Sequence, residues 1–180
     1  MKITILNKKY NVNIKKLYLS NFQQSLPVEI GNLINLQELH FENKLQSLSA
    51  EIGKLINLQK LCLSYNKLQN LPAEIGNLIN LQNLWLCNNQ LQSLPDEIGN
   101  LINLQKLNLN SNQLNSNQLK SLPAEIGKLI NLQELCLSNN QLKNLPAEIG
   151  NLRDLKELNL SNNQLQTLPA KIGNLHNLKK

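Results

Sequence analysis

The spacing of the glycines constrains this chain more than any other feature of its sequence. All seven recur at intervals of 22, 23, 23, 28, 23 and 23 residues. They are Gly31, Gly53, Gly76, Gly99, Gly127, Gly150 and Gly173. Near-constant spacing of that size indicates a repeat array, in which one small supersecondary unit stacks on copies of itself.

The clearest repeat runs from Leu71 to Ser93 and reads LPAEIGNLINLQNLWLCNNQLQS. From Leu81 to Leu86 the last leucines alternate with other residues, which is β-strand spacing. The preceding part has an apolar residue about every three positions, which is helical or 3₁₀ spacing. Pro72 suits a first helical turn because its missing N–H has no partner there, and Gly76 weakens any regular α-helix. Each repeat is therefore predicted to form one short strand and one short helical or 3₁₀ segment.

Leucine must fill most of the interior, because aromatic residues make up only 3% of the chain. Stacked repeats would pair their strands in parallel and place a continuous leucine core between the strands and the outer segments. An asparagine follows the strand at a fixed offset, and we interpret it as a buried amide ladder that satisfies turn backbone groups. The ladder residues are Asn66, Asn89, Asn140 and Asn163.

The pattern resembles that of the leucine-rich repeat family, L-x-x-L-x-L-x-x-N-x-L, from about Ile14 to Lys180. The extension L-P-x-E-I-G-x-L-x-N-L is similar to the 23-residue class found in proteins of pathogenic spirochaetes and in plant intracellular proteins. The resemblance implies an α/β solenoid, a horseshoe with parallel strands on its concave face and short helical or 3₁₀ segments on its convex face. It also implies protein recognition on the concave face and, for the bacterial members, binding of a host protein.

We expect one leucine-rich repeat domain over residues 1–180. Residues 1–25 would form a hairpin-like cap and a half repeat. Six full repeats would follow over 26–167, and a truncated seventh over 168–180.

Three departures interrupt the repeat pattern. The first full repeat is one residue short before its asparagine, and Ser49 replaces a proline. The fourth repeat carries five extra residues, which arise from a local duplication over 111–119. One copy should keep the register and the other should form a loop at the sheet edge, because surface insertions of this length are tolerated. Which copy holds the ladder asparagine stays open.

Both ends of a solenoid core need covering. Lys2–Leu6 and Tyr10–Ile14 are predicted to pair as a β-hairpin that caps the first repeat. At the other end the strand edge is expected to be unpaired, and unpaired edges favour pairing with another chain. This predicts an end-to-end homodimer, with a frayed tail protected by Lys179 and Lys180 as the alternative.

The side chains between the strand leucines are predicted to point out of the concave face. The N-terminal half of this face carries aromatic rings and a polarisable thiol, whereas the C-terminal half is polar. Tyrosine and tryptophan are common interface anchors, so we predict a partner-binding surface here. Its candidate residues are Tyr18, Glu38, His40, Lys60, Cys62, Tyr65, Asn83, Trp85, Lys106, Asn108, Glu134 and Glu157.

The net charge of +6 is unevenly distributed. Five lysines precede the repeats and three lie in the last ten residues, so the body from Leu26 to Thr167 carries 10 basic and 12 acidic residues, a net charge of −2. A nucleic-acid groove needs basic residues clustered along one face. The distribution therefore argues against a nucleic-acid partner and leaves another protein as the predicted one.

Metal and catalytic sites are also disfavoured. His40, Cys62 and Cys87 are residue types that bind zinc, but they lie on different strands without C-x-x-C spacing or an obvious fourth ligand. The glutamates of the outer segments recur with the repeat and suit a first helical turn. No nucleophile, base and orienting acid fall together on the mapped face. We therefore predict no cofactor, no metal and no enzymatic activity.

The three cysteines fit a reducing compartment best as free thiols. The N-terminus lacks the apolar core of a signal peptide, and no run of residues is long and apolar enough to span a membrane. A cytoplasmic location is predicted, with export by a non-classical route or through an upstream signal left open.

A second surface is an isoleucine stripe on the outer side, which either marks a contact or is half-buried by its own neighbours. It consists of Ile34, Ile56, Ile79, Ile102 and Ile130. The leading functional hypothesis remains a protein-binding module. The alternatives are an intracellular regulatory scaffold that modulates an enzyme partner, and a non-catalytic fragment of a larger multidomain protein.

Overall fold

The computed structural model describes residues 2–5, 8–20, 25–42, 44–110 and 118–179. Two strands pair antiparallel at the N-terminus: β1 Lys2–Ile5 and β2 Lys8–Asn11. A seven-stranded parallel sheet follows, in the order of the chain. Its strands are β3 Lys16–Ser20, β4 Glu38–Glu42, β5 Lys60–Cys62, β6 Asn83–Trp85, β7 Lys106–Asn108, β8 Glu134–Cys136 and β9 Glu157–Asn159.

One 3₁₀ segment lies on the convex side of each repeat. The segments are η1 Val28–Asn32, η2 Ala50–Lys54, η3 Ala73–Asn77, η4 Asp96–Asn100, η5 Ala124–Lys128, η6 Ala147–Asn151 and η7 Ala170–Asn174. This architecture confirms the predicted α/β solenoid with parallel strands on the concave face.

The 3₁₀ geometry follows from the L-P-x-E-I-G sequence. In the third repeat Pro72 caps the segment at φ −69°, and Ile75 N–H donates to the Pro72 carbonyl at 3.1 Å. Leu78 N–H then donates to the Ile75 carbonyl at 3.2 Å. In each of these hydrogen bonds the donor lies three residues after the acceptor, which is the 3₁₀ pattern. The resulting tight turns direct Ile75 and Leu78 into the core.

The glycines of η2 to η6 are required by packing. Gly76 has a negative φ, but a Cβ at this position would lie 2.6 Å from the carbonyl oxygen and 2.8 Å from the Cβ of Glu97 in the next repeat. Backbone atoms of the neighbour occupy the space that a side chain would need. The regular spacing of the glycines therefore reflects the close approach of the backbones of consecutive repeats.

The asparagine ladder is confirmed where the structure describes it. Asn66 donates from Nδ2 to the carbonyls of Phe41 at 2.8 Å and Leu63 at 2.9 Å, and its Oδ1 accepts Leu45 N–H at 3.0 Å. Asn89 makes the equivalent three contacts one repeat further on. Asn140 and Asn163 make the same Nδ2 bonds, and the first three ladder amides are buried whereas Asn163 is half-buried. Each amide thus satisfies backbone groups of two adjacent repeats.

A second amide ladder, which sequence analysis missed, lies on the side of the solenoid where the 3₁₀ segments turn towards the strands. Each asparagine donates from Nδ2 to the backbone carbonyl of the isoleucine or arginine in the preceding repeat, at 2.7 to 2.9 Å. The donors are Asn57, Asn80, Asn103, Asn131 and Asn177. Asp154 takes this position in the sixth repeat, and a carboxylate cannot donate the bond.

The predicted N-terminal hairpin forms, with a corrected second strand. Residue Ile5 pairs with Lys8, so β2 covers Lys8–Asn11 and not Tyr10–Ile14. This pairing leaves only residues 6 and 7 between the two strands, so the second strand begins earlier than predicted. Residues 6 and 7 lie outside the described residues. Ile5 is fully buried and β1 contacts η1, so the hairpin covers the first repeat.

The register of the duplicated segment is carried by its second copy. Gln118 N–H donates to the Leu91 carbonyl at 2.8 Å, and Gln141 N–H donates to the Leu119 carbonyl at 3.0 Å. Leu119 is fully buried in the position of Leu91 and Leu142. Residues 111–117 lie outside the described residues, and with them the ladder asparagine of this repeat.

The apolar face of the last described repeat is uncovered. Leu168 is 52% exposed, whereas Leu145, its equivalent one repeat earlier, is 6% exposed. Gly173 has no atom of the described residues within 4 Å of an added Cβ. Lys179 N–H donates to the Lys156 carbonyl at 2.9 Å, which extends the hydrogen bonding at the strand edge by one residue.

Candidate functional site

The strand register places the candidate residues in two rows across the concave face. Leucines at the intervening positions point inward and are buried, except for the half-buried Leu158 of β9, so the row residues face outward. The first row is Lys16, Glu38, Lys60, Asn83, Lys106, Glu134 and Glu157. The second row is Tyr18, His40, Cys62, Trp85, Asn108, Cys136 and Asn159. The positions match the sequence-based map, and a role in binding stays a prediction.

Ion pairs between neighbouring strands organise the first row. Glu38 lies between Lys16 at 3.1 Å and Lys60 at 3.2 Å. The hydrogen bond from Lys16 lowers the pKa of the Glu38 carboxyl; burial opposes the shift and Lys60 adds to it. Further along, the hydrogen bond to Glu134 raises the pKa of Lys106. Glu157 follows Glu134 in the row, so the C-terminal end of the face is acidic.

Tyr18 and His40 stack at the N-terminal end of the second row. Their ring centroids lie 4.5 Å apart with an interplanar angle of 21°, and Tyr18 is 63% exposed. Burial is the main cause that lowers the pKa of His40, while the nearby Glu38 and Glu42 carboxylates oppose the shift. The pair forms a rigid apolar surface with a polar margin, which suits contact with a partner.

Tyr65 lies just beyond β5 in a left-handed backbone conformation, with φ 58°. Its N–H donates to the Cys87 carbonyl at 2.9 Å, and its side chain is 58% exposed. Three other repeats place asparagine here with nearly the same φ: Asn88, Asn139 and Asn162. Asparagine tolerates this region, whereas a bulky residue there is strained. The asparagines at the aligned position of the other repeats are the sequence signal that could have indicated this conformation, and sequence analysis missed it.

The three cysteines do not lie together at one site. Cys62 lies in the second row between His40 and Trp85, whereas the Cys87 thiol contacts Ser64 Oγ at 3.0 Å beyond the strand ends. Burial raises the pKa of the Cys136 thiol, which keeps it protonated and unreactive at neutral pH. Among the described residues, no three His, Cys, Asp or Glu side chains are arranged to hold a metal ion.

The isoleucine stripe of the outer side reaches solvent. Its five members are 51% to 57% exposed, so each is about half covered by its surroundings. Across the part of the chain that the structure describes, no helix is long and apolar enough to cross a lipid bilayer.

Three solved structures are similar to this chain. The plant peptide hormone receptor RGFR1, in complex with RGF2, is 36% identical over 86% of this chain, with a TM-score of 0.75. The leucine-rich repeat domain of the type III effector XCV3220 (XopL) is 31% identical over 87% of the chain, with a TM-score of 0.74. A leucine-rich repeat protein of Leptospira interrogans is 36% identical over 93% of the chain, with a TM-score of 0.44.

The chain spans 25% of the receptor, 56% of the effector domain and 59% of the Leptospira protein. A search of curated proteins gave no significant match. The model of the family described as leucine-rich repeat region matches residues 9–135 and 113–180, which is nearly the whole chain. Together with the parallel strands, the 3₁₀ segments and the asparagine ladder, this match means that the chain belongs to the leucine-rich repeat family.

Proposed function

We propose that this chain is a non-catalytic protein-binding module that holds its partner on the N-terminal half of the concave face. Leucine-rich repeat domains are in general interaction scaffolds, and the similar receptor was solved in complex with RGF2. We further propose a host protein as the partner, by analogy with the similar type III effector.

The observation that carries the proposal is the backbone strain at Tyr65. A left-handed conformation costs a bulky residue roughly 1 kcal/mol relative to asparagine. The exposed ring has few contacts that offset this cost, because 58% of the residue faces solvent. Strain that folding does not require is typical of functional positions.

Tyr65 has aromatic neighbours on the adjacent strands. Its N–H bonds the carbonyl of Cys87, two residues after Trp85, and the Tyr18–His40 stack lies in the same row as Trp85. Rigid aromatic side chains supply large contact areas with little loss of conformational entropy, and they are frequent energetic hot spots. These residues lie within the first half of the sheet, where we place the centre of the interface.

Affinity capture from host lysate would test the proposal with a variant that cannot fail by unfolding. Tyr65→Asn replaces the strained residue with the one that other repeats use, so the free energy of unfolding should rise by about 1 kcal/mol. The same substitution removes the anchor, so a partner captured by the wild type should be lost or strongly depleted.

The matched control is Asn162→Tyr, which places tyrosine in the equivalent position four repeats further on, where asparagine has nearly the same φ and lies outside the N-terminal half of the face. It should lower stability by a similar amount and leave the captured partner in place. A partner retained equally by wild type and Tyr65→Asn would contradict the proposal, because the most exposed aromatic residue beyond the strands would then contribute nothing.

We also propose that the uncovered face of the last described repeat pairs with a second copy of the chain. The exposed Leu168 and the empty space at Gly173 support this. Gly173→Arg should leave the monomer folded, since a side chain there meets no described atom, and it should prevent stacking. Light scattering would detect the dimer, and a constant monomer mass for the wild type over a wide concentration range would contradict the pairing.

A further inference from the structure

A polar groove runs along the edge of the sheet where the strands begin, opposite the edge at which Tyr65 lies. Its inner wall is a row of glutamines, each directly before a strand: Gln59, Gln82, Gln105 and Gln133. Gln133 accepts a hydrogen bond from Lys156 at 3.0 Å. Among the described residues, the side chains of the other three make no hydrogen bond within the protein. Three amides with donors and acceptors therefore face the groove.

The outer wall of the groove belongs to the second amide ladder. It consists of Asn80, Asn103, Asn131 and Asp154. The three asparagines use Nδ2 to bond the carbonyls of Ile56, Ile79 and Ile102. These bonds hold each amide in a defined orientation, and within the described chain no donor occupies the Oδ1 atoms. The wall thus presents a regular row of oriented acceptors that ends in a carboxylate.

We propose that this groove binds an extended, uncharged β-1,4-linked glycan. All eight side chains that line it are amides or a carboxylate, and such groups hydrogen-bond the hydroxyls of sugars. The oriented acceptors would receive hydroxyl protons, while the flexible glutamines would bond hydroxyls of the opposite side of the chain. This site is separate from the concave face and does not depend on the function proposed above.

The spacing of the rows favours a glycan over a peptide. Strands repeat every ~4.8 Å across a sheet, whereas an extended peptide repeats a side-chain position only every ~6.7 Å. Two hexoses of an extended β-1,4 chain advance by about two strand spacings, and neighbouring sugars are turned over relative to each other, so every second sugar presents the same hydroxyls. Alternate sugars would therefore meet equivalent amides in alternate repeats, whereas a peptide would fall out of register after one or two.

The carboxylate of Asp154 disfavours an acidic sugar on the outer wall of the groove. Asp154 is the one ionisable group among the lining residues, and it interrupts the ladder where a neutral asparagine would donate to Ile130. On the inner wall the Lys156 ammonium is held by Gln133. Its carboxylate would repel a uronic acid that lies along the acceptor row. Asp154→Asn should remove this repulsion and restore the ladder bond at the same time.

Isothermal titration with cellohexaose tests the proposal. Because no aromatic ring lines the groove, hydrogen bonds alone hold the sugar, and we expect a dissociation constant of about 1 mM. The double variant Gln82→Ala, Gln105→Ala should bind about tenfold more weakly. The control, Gln69→Ala with Gln92→Ala, removes two exposed glutamines at the opposite edge and should bind as the wild type does.

The result that would overturn the proposal is an absence of saturable cellohexaose binding, or equal binding by the wild type and the groove variant. Hexagalacturonate provides the charge test. It should bind the wild type more weakly than cellohexaose does and should gain affinity in Asp154→Asn. Tighter binding of hexagalacturonate by the wild type would contradict the assignment of an uncharged ligand.

Discussion

Single asparagines hold this fold together at the residue scale. Asn89 is fully buried and joins Leu63, Leu68 and Leu86 through one side-chain amide, at 2.9 to 3.1 Å. These backbone groups belong to two repeats and have no access to water when the core is closed. The amide thus connects neighbouring repeats as directly as the strand pairing does.

Asn89→Ala should therefore lower the free energy of unfolding by about 3 kcal/mol, because several buried backbone groups lose their partner at once. Asn144→Ala is the control, since Asn144 is exposed in a loop, and it should change stability by less than about 0.5 kcal/mol. Urea denaturation of both variants would measure the difference. Similar losses in the two would indicate that the ladder contributes little.

His40 is expected to make stability depend on pH in the mildly acidic range. Burial lowers the pKa of His40 in the folded state below its ordinary value of 6.5, so the unfolded chain binds more protons between these two pKa values. Stability is then fully present above pH 6.5 and decreases as the pH falls towards the folded-state pKa. Glu38, whose folded-state pKa is also lowered, adds a further loss below about pH 4.5.

The pH effect of His40 can be isolated with His40→Gln. The free energy of unfolding, measured in urea at pH 7.5 and 5.0, should fall more for the wild type than for the variant. An equal fall in both proteins would mean that His40 titrates normally in the folded state. The variant loses the ring stack with Tyr18 at every pH. The effect of His40 titration is therefore the change in the free energy of unfolding between the two pH values, compared between wild type and variant.

At the scale of the elements, the 3₁₀ segments set the distance between repeats. In η2 to η6 the glycine lies where the next segment approaches most closely, and the closest atoms belong to the neighbouring backbone and Cβ. A backbone cannot move away as a flexible side chain can. These five short segments therefore act as spacers whose fit depends on the absence of one methyl group.

Gly76→Ala and Gly173→Ala should have opposite effects. The first forces a Cβ to within 2.6 Å of the Glu97 carbonyl oxygen, and overpacking of this kind should destabilise by about 2 kcal/mol. The second meets open space and should be neutral or stabilise by up to about 0.5 kcal/mol, because alanine has less freedom in the unfolded chain. Thermal unfolding of the pair would measure this, and equal effects would contradict the role of packing.

At the scale of the whole molecule, each repeat contacts only its neighbours and the sheet follows the order of the chain. Stability of such a solenoid is close to a sum over repeats and their interfaces. An irregularity in one repeat therefore remains local, provided that the backbone register resumes afterwards. The duplicated segment satisfies this, because Gln118 and Leu119 resume the register of Gln90 and Leu91.

Deletion of Ser111–Asn115 should leave a folded protein of unchanged or slightly higher stability. The deletion restores the 23-residue spacing and shortens the chain between Leu109 and Gln118, and the change in loop-closure entropy is only about 0.6 kcal/mol for each halving of loop length. Circular dichroism and urea denaturation would check this. A loss of several kcal/mol would show that the first copy takes part in the fold.

Much of this architecture was determined by sequence alone, since its signals are local. Alternating leucines around Trp85 predicted a strand, and the proline and glycine around Glu74 predicted a short helical segment. Because every repeat presents the same pattern, the register of the sheet and both rows of the concave face followed from simple counting. The buried role of Asn66 and Asn89 was predicted for the same reason.

Only the tertiary structure decided the features that arise between repeats. The strain at Tyr65, the stack of Tyr18 on His40 and the bond from Asn80 to the Ile56 carbonyl each depend on groups about one repeat apart in the chain. Periodicity predicts where such residues lie but not their backbone angles or partners. Those are determined when the repeats pack, because close approach of one repeat to the next leaves each side chain only a few allowed arrangements.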